Sequence, residues 1–173
     1  MNIKFFLIGM MGAGKSSIGL KLSQITKIPF LDIDNLIDSS NYIINNSIKK
    51  FRELEERKIS KIDLIDDNLI ISVGGGAILS PLNRKIIKKY YCIYLKTSLN
   101  ILINRVSNQD VFRPLIQSKK NGNIDMHTFE DLFNSREKLY SNLANFIIKT
   151  DNKSVDELSQ LIKNQLIKNE IIN

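Results

Sequence analysis

Near its start the chain runs through residues 3–8, apolar apart from Lys4, straight into Gly9-Met10-Met11-Gly12-Ala13-Gly14-Lys15-Ser16. No other feature constrains the fold as strongly. The segment matches G-x-x-x-x-G-K-[ST] at every fixed position and stands where that pattern has meaning, after a strand and opening a helix. Glycines let successive backbone N–H groups turn inward around a phosphate. The helix N-terminus adds partial positive charge. A lysine at position 15 reaches the β- and γ-phosphates, and a hydroxyl at 16 suits a magnesium ion. A glycine-rich turn that binds nothing is the plain alternative, and it would not need all four fixed positions. The motif therefore predicts nucleoside triphosphate binding, with the acceptor open.

The rest of the chain reads as alternating strands and helices. Residues 28–31, 69–73, 91–95 and 146–149 are short apolar runs, read with 3–8 as five buried strands. Helical spacing covers 15–26, 36–61 with a polar break at 41–47, 81–88, 98–106, 128–143 and 154–167. Pro81 suits a first helical turn, and Ser98 and Ser154 stand as caps. On the last helix Val155, Leu158, Leu161, Ile162 and Leu166 form one apolar face. Residues 108–125 are polar with no periodicity, and a loop of that length is commonly a functional lid. The expected fold is a three-layer α/β sandwich on a five-stranded parallel sheet, of the P-loop NTPase, nucleoside-monophosphate-kinase-like kind. In such sheets ligands bind beyond the carboxyl ends of the strands.

At 173 residues, 43% hydrophobic and 25% charged, the chain suits a single globular domain over 1–173. No apolar run approaches the roughly 20 residues of a membrane span. The N-terminus lacks a charged leader and a small-residue cleavage site, and Cys92 is the sole cysteine. These features predict a cytoplasmic protein without disulfides, and Cys92 reads as a core thiol. The formal charge is +7, from 25 Lys+Arg against 18 Asp+Glu. It is mostly scattered lysine, which fits a solvated surface better than a nucleic-acid footprint. Neither a nucleic-acid nor a membrane partner is expected, and His127 is read as a surface residue.

Further motifs narrow the chemistry. No N-K-x-D guanine motif is present, and the third strand runs into Gly74-Gly75-Gly76 without the acid of an ordinary Walker B. The second strand supplies Asp32-Ile33-Asp34 instead. In order along the chain come GMMGAGKSS, DID at 32–34, Phe51-Arg52 with Glu55, GGG at 74–76, Arg113-Pro114-Leu115, and Arg136 followed by Leu139-Tyr140. This ordered set resembles the shikimate kinases, over most of the chain.

The resemblance implies ATP-dependent phosphorylation of the shikimate 3-hydroxyl, a step of aromatic amino-acid biosynthesis, by a monomer. It implies that Gly12, Ala13, Gly14, Lys15, Ser16 and Ser17 cradle the ATP phosphates. Ser16 and Asp32 are implied on the Mg²⁺ side. Asp34 is implied to bind the substrate hydroxyls and to take the proton, with Lys15 and Arg113 as its catalytic partners. Arg52 and Arg136, with the backbone of Gly74, Gly75 and Gly76, are implied to hold the substrate carboxylate. The lid is implied over 108–125 and the substrate segment over 33–60. Arg105 and Lys153 are implied to flank the adenine.

Chemistry agrees with these roles: a planar guanidinium fork suits a carboxylate better than an ammonium. Plain alternatives stand beside them. Asp32 or Asp34 could simply cap a helix, Arg52 could pair with Glu55 or Glu56 on a helix surface, the glycines could form an ordinary turn, and Arg113 could be solvated. Arg52 follows Asp34 by 18 positions (52 − 34), fewer than the family's usual segment, and Lys138 replaces a usual proline. Both departures fall on the substrate side. Other readings are a gluconate-type small-metabolite kinase and a non-catalytic binding protein of the same fold.

Overall fold

A computed structural model describes residues 2–37, 42–43, 45–108, 113–117 and 123–172. Five strands form one sheet: β1 (Lys4–Ile8), β2 (Phe30–Asp32), β3 (Leu69–Ser72), β4 (Tyr91–Lys96) and β5 (Phe146–Lys149). Their order is β2-β3-β1-β4-β5 and every pair is parallel. The helices are α1 (Lys15–Thr26), α2 (Ile33–Ile37), α3 (Ile48–Ser60), α4 (Pro81–Ile87), α5 (Leu99–Ser107), α6 (Met126–Leu143) and α7 (Val155–Lys168). They cover both faces, so β1, β3 and β4 are apolar on both sides and almost wholly buried.

The register places the site. Leu7 pairs with Ser72, and Ser72 with Asp32, so the carboxyl ends of β1, β3 and β2 finish in one row. The loops that begin at Gly9, Val73 and Ile33 therefore leave the sheet side by side. The chain crosses from β1 towards β2 on one side and from β4 towards β5 on the other. The crevice above β1 is thus the point where the winding reverses, the usual ligand position of such folds.

The expected α/β architecture is present, with local differences. β2 begins at Phe30 rather than at 28, because Lys27 ends α1 in a left-handed conformation (φ 64°) and the ladder starts only at the Pro29 carbonyl, which accepts from Ile70 N–H. The helical stretch expected from 36 starts three residues earlier, at Ile33, because Asp32 caps it. Two 3₁₀ turns, Ile62–Leu64 and Ala77–Leu79, are additional. α6 starts at Met126 because Asp125 accepts from Thr128 N–H. Ser98 stands at the start of α5 without a side-chain cap bond; its own N–H is held by Asp151. On α7, Leu158, Ile162 and Leu166 are buried whereas Val155 and Leu161 are exposed, so the buried stripe follows an i, i+4, i+8 line. The Ser154–Glu157 capping box holds that helix's start.

Within the expected lid, residues 109–112 and 118–122 lie outside the described residues. The rest is not featureless: Gln117 bridges antiparallel to Ile124, and Ile116 is buried. Cys92 is in the core, where burial pushes its thiol up to about 12. His127 is exposed and faces Asp131. Among the described residues no helix is long and apolar enough to cross a membrane.

Candidate active site

The phosphate loop joins β1 to α1. Gly12 (φ 81°) and Gly14 (φ 92°) take left-handed conformations that close the turn. At Gly12 a Cβ would also stand 2.9 Å from a Val106 methyl. Lys15 is 9% exposed, and its ammonium donates to the carbonyls of Gly9 (2.9 Å) and Met10 (3.0 Å). Burial lowers its pKa, while Asp34 and then Asp32 act to raise it. The neighbouring charges of Arg113 and Arg136 lower it further. An anion placed over this loop would relieve a crowded set of cations.

Asp32 serves two neighbours at once. Its Oδ1 accepts from the N–H groups of Asp34 (3.1 Å) and Asn35 (3.4 Å), and its Oδ2 accepts the Ser16 hydroxyl at 2.5 Å. The helix-cap reading therefore holds for one oxygen, and the other meets Ser16 beside the phosphate loop. Two hard oxygen donors meeting beside the phosphate loop fit a magnesium ion, which usually takes one or two protein oxygens and completes its shell with phosphate and water. No group of three or more His, Cys, Asp or Glu side chains is placed to hold a metal among the described residues. A cation carried with nucleotide phosphates fits this donor set better than a resident metal.

Asp34 lies in the first turn of α2, half-buried. Burial raises its pKa, opposed first by the nearby Lys15. Gly74 lets this carboxylate approach: a Cβ there would stand 2.5 Å from Asp34 Oδ1 and 2.8 Å from Glu55 Oε1. At Gly76 a Cβ would stand 1.9 Å from Arg52 Nη2. Three consecutive glycines leave this backbone open to close approach. The approaching groups include the chain's own Asp34, Glu55 and Arg52.

Arg52 reaches this point from α3. Its Nη1 pairs with Glu55 Oε2 at 2.6 Å, and its guanidinium lies over the Phe51 ring, 5.0 Å from the centroid. The expected alternative, an ion pair with Glu55, is thus real. It is not a solvated one, because Glu55 is fully buried. Burial pushes the Glu55 carboxyl up to about 7, opposed first by Arg52. Glu55 Oε1 has no hydrogen-bond partner among the described residues.

Arg136, on α6, is 2% exposed. Its Nε and Nη1 are buried without a partner among the described residues. Burial lowers its pKa, and the neighbouring Tyr140 and Glu55 raise it. A buried guanidinium with two unmet donors is costly unless an anion meets it. Charge coupling links it to Arg52, Glu55 and Lys15.

The remaining predicted residues divide. Arg113 is half-buried, with its pKa lowered by burial, and lies close enough to Lys15 to act on its charge. Ser17 is exposed at the start of α1, and Ala13 is buried in the loop. Arg105, on α5, donates to the carbonyls of Gly12 (3.3 Å) and Thr150 (3.5 Å). It therefore bridges the phosphate loop to the end of β5. Lys153 is exposed on the turn before α7, beside a shallow depression shared with Glu157, Gln160 and Leu161. No described contact joins it to the phosphate loop. Two buried residues absent from the expected site belong to the cluster, Glu55 and Tyr140. Their signals were in the sequence: Glu55 stands three positions after Arg52, and Tyr140 four after Arg136, spacings that share a helix face.

Comparison with known proteins matches this arrangement. The family model described as shikimate kinase matches residues 11–167. A shikimate kinase of Dictyoglomus turgidum is 32% identical over 168 residues, 92% of this chain and 94% of that one. One from Xylella fastidiosa is 34% identical over 155 residues, 86% and 83% of the two chains. Among solved structures, the shikimate kinase of Acinetobacter baumannii in complex with shikimate superposes with a TM-score of 0.87 at 27% identity, covering 98% of this chain and 95% of that one. The enzyme from Aquifex aeolicus gives 0.76 at 25%, covering 97% and 98%. A phosphate loop at the winding reversal, a buried carboxylate–arginine cluster facing it, and this match over nearly the whole chain have one reading: the protein is a kinase, and it belongs to the shikimate kinase family.

Proposed function

We propose that the protein transfers the γ-phosphoryl group of ATP to the 3-hydroxyl of shikimate, giving shikimate 3-phosphate and ADP. The observation that carries the substrate side is Arg136, a buried guanidinium with Nε and Nη1 unpartnered among the described residues. It stands beside Arg52 and a phosphate loop. A small polyhydroxy carboxylate supplies the missing anion and an acceptor hydroxyl together.

The residues divide the work. The backbone of residues 12–17 holds the phosphates, and Lys15 exchanges its loop carbonyls for phosphate oxygens. Arg136 and Arg52 take the carboxylate, with Gly74, Gly75 and Gly76 bringing backbone close to it. Asp34 orients the hydroxyls and accepts the proton of the attacking one; its raised pKa makes it a better base than an ordinary aspartate. Arg113 and Lys15 neutralise charge spreading over the transferring group. Ser16 and Asp32 would hold Mg²⁺, which supplies charge neutralisation at the phosphate oxygens when bound. Arg105 flanks the nucleotide from α5, and Lys153 flanks the base from the turn before α7. Residues 1–173 act as one kinase domain, with 33–60 as substrate segment and 108–125 as a lid that excludes water. The protein works as a monomer in the cytoplasm.

Arg136→Lys tests the carboxylate assignment. It keeps the charge and loses the fork, so the KM for shikimate should rise about tenfold, near 1.4 kcal/mol. The KM for ATP should stay within about twofold. Equal losses for both substrates would contradict a carboxylate clamp.

A further inference from the structure

Tyr140 stands one turn beyond Arg136 on α6, so the two side chains share a helix face. Its ring is fully buried and stacked on Tyr94 of β4, with centroids 5.0 Å apart and planes 24° apart. Its hydroxyl donates to the Gly75 carbonyl at 2.5 Å and lies 3.6 Å from Met10 Sδ. Gly75 in turn is pressed against the phosphate loop. A Cβ on it would meet Met11 N at 3.2 Å, Gly9 O at 3.4 Å and the Tyr140 oxygen at 3.4 Å.

One buried oxygen thus stands where three pieces of the site converge: the phosphate loop, the glycine loop after β3, and the helix that carries Arg136. Packing alone does not explain it, since phenylalanine would fill the same ring space without a polar atom to desolvate. The hydroxyl has a use on each side. It fixes the carbonyl of Gly75, and it is near enough to the Arg136 guanidinium to act on its charge. Two of that guanidinium's nitrogens have no partner among the described residues, so its aim depends on such neighbours.

We propose that Tyr140 is a positioning residue whose hydroxyl sets the Gly75–Gly76 backbone and the Arg136 guanidinium to receive the substrate carboxylate. The inference rests on the reading of Arg136 as the carboxylate's partner. It acts through Arg136 and Gly75 and does not require Tyr140 to touch the substrate.

The test is steady-state kinetics of Tyr140→Phe with shikimate and with its carboxamide analogue as acceptors. The KM for shikimate should rise about tenfold, the scale of one hydrogen bond to a charged group. The KM for ATP, and the KM for the uncharged carboxamide, should move by no more than about twofold. Tyr94→Phe keeps the stacked ring and removes a hydroxyl that does not bond Gly75, so it should behave as wild type. A Tyr140→Phe enzyme with an unchanged shikimate KM overturns the proposal, as does an equal rise for both acceptors or for ATP. Should Tyr140→Phe fail to fold, 3-fluorotyrosine placed at 140 in the otherwise unaltered chain gives a second readout. Its ¹⁹F resonance should move with saturating shikimate and much less with the carboxamide, and equal movement with both overturns the proposal. A wild-type chain that does not phosphorylate shikimate refutes the underlying reading instead, a result separable from these.

Discussion

Glu55 is a carboxyl group placed where ionisation is expensive, and replacing it by glutamine should change how stability responds to pH. The side chain is fully buried, with Oε2 on Arg52 at 2.6 Å and Oε1 unpartnered among the described residues. Its pKa moves from an ordinary 4.5 to about 7, chiefly through burial, with Arg52 opposing. Between those values the folded chain binds a proton that the unfolded chain has released. Stability must therefore fall as pH rises from about 4.5 and level off above about 7. Each factor of ten in proton affinity is about 1.4 kcal/mol, so the loss across the window, from 4.5 to about 7, is about 3–4 kcal/mol. In a chain of this size that is about 6–16 °C in Tm. Glu55→Gln keeps the shape and removes the titration. Thermal and urea unfolding of both proteins, followed by circular dichroism from pH 4.5 to 8, should give curves that diverge. Wild type should lose stability relative to the variant by up to about 3–4 kcal/mol as pH rises. Parallel curves would refute the placement of a neutral-leaning Glu55 in the folded chain.

Other perturbations follow from the same geometry. Gly19→Ala puts a Cβ 2.1 Å from the Phe30 ring, so it should destabilise by about 1–3 kcal/mol, read by urea unfolding, with turnover per folded molecule kept. Gly76→Ala meets only the far end of Arg52, at 1.9 Å. It should displace that guanidinium, raise the shikimate KM about tenfold and lower the Tm, because the buried Glu55 loses its partner. Lys15→Met removes the cation from the phosphate loop and should lower kcat by about a hundredfold or more, measured by ADP release, while the circular dichroism spectrum is retained.

Where the sequence was legible, local chemistry over-determined the structure. Residues 9–16 needed glycines, a lysine and a hydroxyl at fixed spacing, and the turn forms accordingly. The five apolar runs became the five strands, the central three of them buried on both faces. Asp32 and Asp34 stood out because the third strand ends in glycines without an acid and the second strand supplies the pair. What was not legible depends on long-range placement. Nothing local says that Asp32 will cap α2 with one oxygen while meeting Ser16 with the other. Glycines 74–76 were implied near the substrate carboxylate, and nothing local says that Arg52, Asp34 and Glu55 approach the same backbone. Glu55 read as a surface ion-pair partner because i, i+3 spacing is silent on burial. Arg105 illustrates the reverse: the resemblance singles it out, while its bonds to the Gly12 carbonyl and to Thr150 across the sheet edge have no sequence signal. The +7 charge carried little information, since the cations gathered at the candidate site are Lys15 and a few arginines.

The central claim is that this site phosphorylates shikimate, and a coupled ADP-release assay addresses it directly. Purified protein with MgATP is offered shikimate, gluconate or no acceptor. The account predicts ADP release that saturates with shikimate and stays near the no-acceptor level with gluconate. ADP release that is independent of shikimate, or that is greater with gluconate, would contradict it.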